Sequence, residues 1–310
     1  MISQKFSFKN VPSFLSSHLR LKPYARTLAR RMGYELVGEG GEWWDFPNYK
    51  FYPRNLSNLM NPGPENPYDV PFKIDITIIT SRLGFSYAKD GWHPFLKTLE
   101  EYSQNPDLRY QDSTLARLYR QYCPANVQEV LLDNHKLPLH PICDWPPSNE
   151  LIRWIWALNK GSVRTILKRL KNSPDNSGWI FFGPHKQEYG EKEFQRLIKV
   201  YNSIKKNGFQ KELSETDPVN GYFLKKGTKL RFVLLQGNHR VSVLRSLGYS
   251  EIKVLIRKGH PAVIDRAELH RWTEKGGGIY PSQLPIKLFD ALFNESGLQK
   301  ANRYDLNQSE

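Results

Sequence analysis

The segment 230–248 constrains the fold more than any other part of the chain. Residues 232–235 form a short apolar run, which is typical of a buried strand. Gly237 then permits a sharp turn, and Asn238 is a residue type that favours the N-cap of a helix. Apolar residues recur at helical spacing until Gly248, which suits the left-handed conformation that often ends a helix. The pattern predicts a strand, a tight turn and a helix.

Three polar residues, Asn238, His239 and Arg240, stand at the predicted start of this helix. A helix N-terminus has free N–H groups and the positive end of the helix dipole, so it attracts anions. The side chains of His239 and Arg240 add further donors and positive charge. The pattern therefore favours a phosphate as ligand. The alternative is an ordinary strand-to-helix turn whose polar residues face solvent.

The charge balance favours anionic partners. Lysine and arginine number 45 against 31 aspartates and glutamates, which leaves a formal net charge of +14. A nucleotide, a nucleic acid, a phosphorylated sugar or an acidic membrane face would each fit this excess, and the charge alone does not choose among them. Hydrophobic residues make up 39% of the chain, so a folded protein is expected rather than a disordered one.

The cysteines and the N-terminal residues bear on localisation. Cys123 and Cys143 are too few for a disulfide framework and form no CxxC pair, so reduced thiols are expected. Residues 1–15 lack the apolar core of a secretory signal. No apolar run approaches the roughly 20 residues that a membrane span needs. We therefore expect a cytoplasmic protein without a membrane span.

Periodicity and turn residues predict the other elements and an α+β fold. The predicted strands are 72–79, 179–182, 221–224, 230–235 and 252–256. The predicted helices include 95–102, 113–122, 190–207 and 284–293. The segment 172–177 carries Asn, Pro and Ser and is the predicted domain boundary.

A basic segment at 150–171 suggests a possible DNA contact. It reads as two helices, and the second carries Arg164, Lys168 and Arg169, which could meet a major groove as in a helix-turn-helix. Lys160 and Ser162, however, stand where that motif prefers apolar residues. The alternative is a helical hairpin with a basic outer face.

The order of elements over 179–257, about a quarter of the chain, resembles the ParB/sulfiredoxin superfamily. The residues that carry the resemblance are Glu193-Phe194-Gln195-Arg196-Leu197, Ser203-Ile204-Lys205-Lys206-Asn207-Gly208, Gly237-Asn238-His239-Arg240, Leu244 and Gly248. The resemblance implies a ParB/sulfiredoxin-like domain at 178–258. A mainly helical, aromatic-rich region at 1–172 would precede it, and an extension at 259–310 would pack on the body. The resemblance also implies that the Gly-x-x-Arg turn at 237–240 and the helix after it hold nucleotide phosphates.

The members of this superfamily differ at the turn. Sulfiredoxins carry a cysteine where this chain has Asn238, so no thiol is present for a sulfinic-acid reductase. ParB proteins, which bind CTP and DNA, usually have Glu-Arg-Arg at 238–240. The free-serine kinases have His-Arg, as at His239 and Arg240, but carry an acidic residue where this chain has Gln236. A kinase-like protein would need its base elsewhere, and Glu191 and Glu193 are the candidates. Alternatively, these two residues only complement the helix dipole.

The resemblance and the residues together assign expected roles. The Gly237 backbone and Arg240 would bind phosphate, His239 would donate to phosphate or stabilise developing charge, and Asn238 would cap the helix. Two residues of an earlier turn, Gly183 and His185, would approach the same site. The expected cofactor is ATP, ADP or CTP with Mg²⁺.

The expected function is that of a nucleotide-binding, kinase-like phosphotransferase. It would act on a small hydroxyl compound, and the resemblance allows a link to surface polysaccharide metabolism. The alternatives are a nucleotide-gated DNA-binding protein of the ParB type and a non-catalytic ligand-binding protein that uses the same fold.

Overall fold

The computed structural model of the protein describes residues 71–131, 180–209, 218–257, 262–269 and 284–307. Its strands are β1 (Phe72–Asp75), β2 (Ile79–Ser81), β3 (Asn220–Lys226), β4 (Lys229–Gln236), β5 (Glu251–Ile256) and β6 (Val263–Asp265). Its helices are α1 (Pro94–Gln104), α2 (Thr114–Gln121), α3 (Val127–Leu131), α4 (Gln187–Asn207), α5 (Asn238–Ser246), α6 (Leu284–Asn294) and α7 (Leu298–Arg303). The described part of the chain is therefore α+β, as predicted.

The strands form one mixed sheet in the order β1-β5-β3-β4-β2, and β6 also pairs with β3. β3 and β4 form an antiparallel hairpin, and β1 lies antiparallel to β5. β2 is parallel to β4, while β5 and β6 are both parallel to β3. The hairpin and β5 were each predicted within one or two residues of these bounds, because each is an apolar run flanked by turn residues.

The predicted strand at 72–79 is wrong as a single element. The chain leaves β1 at Asp75, makes a 3-10 turn over Ile76–Ile78 and re-enters the sheet as β2. The Asp75 carboxylate accepts a hydrogen bond from the Thr77 N–H at 2.7 Å, which stabilises the turn. β1 and β2 consequently lie at opposite ends of the sheet order.

The predicted strand at 179–182 is also wrong over its described part. Ile180 and Phe181 lie in a turn rather than in a strand, and the side chains of Phe181 and Phe182 are buried in the core. A short apolar run indicates burial, but its periodicity does not distinguish a strand from another buried segment.

The predicted helices that fall within the described residues are confirmed, with small shifts at their ends, whereas those predicted at 150–171 lie outside these residues. α4 begins at Gln187 and is capped at its C-terminus by Gly208, which has a φ of 71°. The apolar residues whose helical spacing predicted this element form its buried face: Phe194, Leu197, Tyr201 and Ile204. α6 buries Leu288, Phe289 and Leu292 in the same core.

The two sides of the predicted domain boundary share one sheet and one core. β1 and β2 precede the boundary, and they pair with β5 and β4, which follow it. The boundary segment 172–177 lies outside the described residues, as do residues 1–70 and 132–171. Among the helices that the structure describes, none is long and apolar enough to cross a membrane.

Candidate functional site

The turn between β4 and α5 depends on Gly237. This residue has a φ of 103°, in the left-handed region, and a Cβ built there would lie 2.9 Å from Val219 Cγ2. Both the backbone conformation and the close approach of Val219, the residue before β3, therefore require glycine. Gly237 is also the N-cap residue of α5, so the expectation that Asn238 caps the helix is wrong. We call the residues 237–240 the α5 mouth.

Asn238 is instead the first helical residue. Its backbone oxygen accepts a hydrogen bond from the Tyr87 hydroxyl at 3.2 Å, and that hydroxyl lies 3.0 Å from Ser242 Oγ. The side-chain oxygen Oδ1 of Asn238 is buried and has no hydrogen-bond partner among the described residues. A buried acceptor without a donor is costly, so this atom is suited to a ligand that brings a donor.

A second amide oxygen with the same property lies on the neighbouring strand. Asn220 pairs with Gln236 in the β3–β4 register, and its Nδ2 donates to Gln236 Oε1 at 3.0 Å. These contacts fix the orientation of the amide and leave Oδ1 of Asn220 buried without a partner within the described ranges. Gln236 Oε1 also lies 3.3 Å from Nη1 of Arg257, which donates to it. Asn220 was not predicted, because nothing in its local sequence marks it.

His239 and Glu193 meet across two helices at the α5 mouth. Nε2 of His239 lies 3.2 Å from Oε2 of Glu193, and the two side chains are only 11% and 13% exposed. The ring and the carboxylate are at ion-pair distance but are not aligned as a hydrogen bond, so both atoms remain buried without a hydrogen-bond partner in the described residues. The His239 ring stacks on Phe95 of α1, with centroids 4.8 Å apart and planes 13° apart.

The pair alters the chemistry of Glu193. The contact with His239 lowers the pKa of the Glu193 carboxyl below its ordinary value, against the opposing effect of burial. Glu193 is therefore ionised at neutral pH. Arg196, one turn further along α4, lies 3.7 Å from the same carboxylate and adds to this effect.

Glu191 does not join this pair. Two residues along an α-helix are separated by about 200° around the axis, so Glu191 and Glu193 point in different directions. Glu191 accepts a hydrogen bond from Gln187 Nε2 at 2.8 Å on the exposed side of α4. Of the two predicted carboxylates, only Glu193 lies against the predicted histidine.

A second buried histidine, His93, lies near His239. His93 precedes α1 and is fully buried, and its ring stacks on Tyr87 with centroids 4.3 Å apart. Neither ring nitrogen has a hydrogen-bond partner among the described residues. Burial lowers the pKa of His93 well below its ordinary value, and the nearby His239 adds to the shift, so His93 is neutral. His93 was not among the predicted site residues.

Gly183 and His185 lie at the start of α4. A Cβ on Gly183 would lie 2.0 Å from the Tyr119 carbonyl oxygen, so packing against α2 explains the glycine without a ligand. His185 stacks on Tyr189, one turn before Glu193 on α4. The structure thus brings His185 near the predicted site, while the role of Gly183 in ligand binding stays a prediction.

The other predicted site residues are Arg240 and the three basic residues of the segment 150–171. Arg240 is half-buried at the α5 mouth. Arg164, Lys168 and Arg169, the predicted DNA contacts, lie outside the described residues. Within the part of the chain that the structure describes, no group of three or more His, Cys, Asp or Glu side chains could hold a metal ion.

The site therefore consists of a glycine turn, a helix N-terminus, a buried carboxylate–imidazole pair and two amide oxygens that lack donors among the described residues.

Comparison of the chain with protein-family models, with curated proteins and with solved structures finds no match.

Proposed function

We propose that the α5 mouth binds the phosphates of a nucleotide and that the protein is a kinase-like phosphotransferase acting on a small hydroxyl compound. The observation that carries this proposal is the contact between Glu193 and His239 at the first turn of α5. It places a carboxylate–imidazole pair beside a helix N-terminus, which is a natural binding site for phosphate. The ParB/sulfiredoxin-like fold, suggested by the sequence motifs, is part of the same proposal.

The pair suits proton transfer from an alcohol. Glu193, ionised and held against Nε2, would orient the His239 ring, and Nδ1 would accept the proton of the acceptor hydroxyl. The acceptor oxygen would then form a bond to the terminal phosphorus of the nucleotide. The bond from that phosphorus to the bridging oxygen would break, and the shortened nucleotide would keep the electron pair.

The other residues of the mouth would hold the reactants. The first N–H groups of α5 and the Arg240 guanidinium would bind phosphate oxygens. The unpartnered amide oxygens of Asn238 and Asn220 would accept hydrogen bonds from hydroxyl groups of the acceptor. A polyol or sugar has several such hydroxyls, so these compounds are the acceptors that fit best, and the link to polysaccharide metabolism rests on this fit.

Magnesium would enter with the nucleotide. Mg²⁺ is bound in nucleotide sites by one or two carboxylates together with phosphate oxygens and water. Beside the α5 mouth, the Glu193 carboxylate offers an oxygen donor of this kind, since only its Oε2 faces His239. When bound, the ion would neutralise charge on the phosphates.

Titration calorimetry with ATP, ADP and CTP, with and without Mg²⁺, tests the binding step. We expect at least one nucleotide to bind below millimolar concentration and Arg240→Ala to weaken it by about 10-fold or more, because a charge-assisted contact to phosphate is lost. Arg245→Ala removes an arginine at the other end of the same helix and is the matched control. No binding of any nucleotide at millimolar concentration would contradict the proposal.

A phosphoryl-transfer assay against sugars, polyols and serine tests the chemistry. Glu193→Gln should reduce the rate by about 100-fold or more, since general acid–base groups contribute roughly that much, and nucleotide binding should persist. Glu191→Gln is the matched control on the exposed side of α4 and should be active. Equal rates in the two variants would remove Glu193 from the mechanism.

A further inference from the structure

An exposed aromatic stack lies at the start of α4. Tyr189 is 37% exposed, and Tyr249 and Leu298 are the other large apolar side chains that are comparably exposed among the described residues. The ring of His185 stacks on Tyr189, with centroids 4.0 Å apart and planes 18° apart. Singly exposed tyrosines are common, but a tyrosine already stacked against a second flat ring is a preformed aromatic surface.

The buried residue Tyr119 supports the stack. The Tyr119 and His185 rings are nearly perpendicular, with planes 77° apart and centroids 4.6 Å apart, and the Tyr119 centroid lies 5.9 Å from that of Tyr189. Tyr119 itself is buried, and its hydroxyl donates to the Ile180 carbonyl oxygen at 3.1 Å. The two outer rings therefore have little freedom to lose when a third ring is added, which favours binding.

Tyr189 of the stack and Glu193, which faces His239 of the α5 mouth, lie on the same face of α4. Tyr189 and Glu193 are four residues apart, a spacing that makes helix side chains neighbours, with an axial rise of about 6 Å. Burial raises the pKa of Tyr189 to about 12, and the nearby Glu193 carboxylate contributes to the increase. A ligand with phosphates at the mouth thus has an aromatic surface within one helical turn.

We propose that Tyr189, supported by His185, is the stacking surface for the base of the nucleotide. This inference rests on the proposed function, because the phosphates of the same nucleotide would occupy the α5 mouth. Tyr189, His185 and Tyr119 contact one another through their rings, and stacking on a flat ring binds any base without reading its edge. The site would consequently discriminate weakly between ATP and CTP.

The test compares a nucleotide with inorganic tripolyphosphate, which has the phosphates but no base. Calorimetry would be performed on the full chain and on Tyr189→Leu, Tyr189→Phe and Tyr249→Leu. We expect Tyr189→Leu to weaken ATP binding about 10-fold and to leave tripolyphosphate binding unchanged. Tyr189→Phe keeps the ring and should bind ATP normally. Tyr249→Leu, which removes an equally exposed tyrosine, should match the unaltered protein.

The results of this test separate failure of the stacking inference from failure of the proposed function. If tripolyphosphate binds and Tyr189→Leu binds ATP as well as the unaltered protein, the stacking inference fails while the phosphate site survives. If Tyr189→Leu weakens both ligands equally, the residue supports the mouth and does not stack a base. If neither ligand binds the unaltered protein, the proposed function and this inference both fail. His185→Leu gives a second variant, expected to weaken ATP less than Tyr189→Leu, and thermal unfolding would verify that each variant is folded.

Discussion

Two carboxylates in this protein, Glu101 and Glu193, each pair with a buried basic side chain, and the two pairs differ in how completely they are hydrogen-bonded. Arg117 on α2 pairs with Glu101 on α1, and the arginine side chain is 7% exposed. Its guanidinium also donates to Thr114 Oγ1 at 2.8 Å and to the Asp112 carbonyl oxygen at 3.1 Å. The Glu101 carboxylate accepts from both the N–H and the hydroxyl of Thr114. We call this group the Arg117 cluster.

The α5 mouth is built in the opposite way. Glu193 and His239 face each other at ion-pair distance, but neither of the two facing atoms is hydrogen-bonded within the described part of the chain. Oδ1 of Asn238, close by in the chain, is also buried without a partner. A fully paired charge cluster holds a fold together, whereas a cluster with open positions is better explained by a ligand. The comparison therefore separates a structural ion pair from a candidate site.

The largest stability effect is expected in the Arg117 cluster. Glu101→Ala should lower the free energy of unfolding by about 3 kcal/mol, because removal of one partner leaves a buried guanidinium uncompensated. Urea unfolding measures this change. Glu100→Ala removes an exposed neighbour that pairs with Lys97 on the same helix and should cost less than about 0.5 kcal/mol. A similar loss in both variants would show that the cluster is not a special stabilising element.

The next largest effect is expected at the glycine of the α5 mouth. Gly237→Ala should destabilise the protein by about 2–3 kcal/mol, since alanine is strained at positive φ and its Cβ would meet Val219. Gly248→Ala is the matched control: its φ is 86°, but no atom lies within 4 Å of the added Cβ, so only about 1 kcal/mol is expected. Equal losses of stability in the two variants would mean that Val219 moves away readily from the added Cβ.

The smallest effect is expected from the pair at the mouth, and it depends on pH. The folded-state pKa of Glu193 is lowered, so its carboxylate stabilises the fold above its unfolded pKa of about 4.3, and this contribution is lost as pH falls through the folded value. His239 and Arg196 cause the lowering. The free energy of unfolding of the unaltered protein minus that of Glu193→Gln should fall in buffers more acidic than about pH 5, as the Glu193 carboxylate is protonated.

Urea unfolding at several pH values measures this difference. Lys97→Gln, which leaves the exposed Glu100 without its partner, is the control and should show little dependence on pH. If the free energies of unfolding of Glu193→Gln and the unaltered protein differed by the same amount down to about pH 3, that result would contradict an ionised Glu193 that stabilises the fold.

Prediction from the sequence succeeded where one local pattern sufficed. The run of β4, the turn at Gly237 and the apolar positions of α5 are adjacent in the chain, so each constrains the next. The face of α4 that carries Phe194 and Leu197 was predicted for the same reason. Glu193 was a candidate from its position near the start of that helix, although Glu191 was an equal one.

Prediction failed where distant segments meet. Phe95 stacks on His239 of the α5 mouth, and His93 stacks behind it on Tyr87, only because β1 and β2 bring the following chain onto the sheet; no local pattern marks either residue as part of a site. The single predicted strand at 72–79 missed the 3-10 turn that sends β1 and β2 to opposite ends of the sheet order. Asn238 was expected as the helix cap because its type favours that position, but the glycine before it occupies the position.

The sequence by itself determined the local elements, the glycine turn and the positive charge at the start of α5, because periodicity and backbone conformation depend on neighbouring residues. The tertiary structure alone decided which carboxylate faces His239, which amide oxygens lack donors and which aromatic rings lie beside the mouth. These contacts depend on strand order and helix packing between segments far apart in the chain, and burial then determines which polar atoms can be paired.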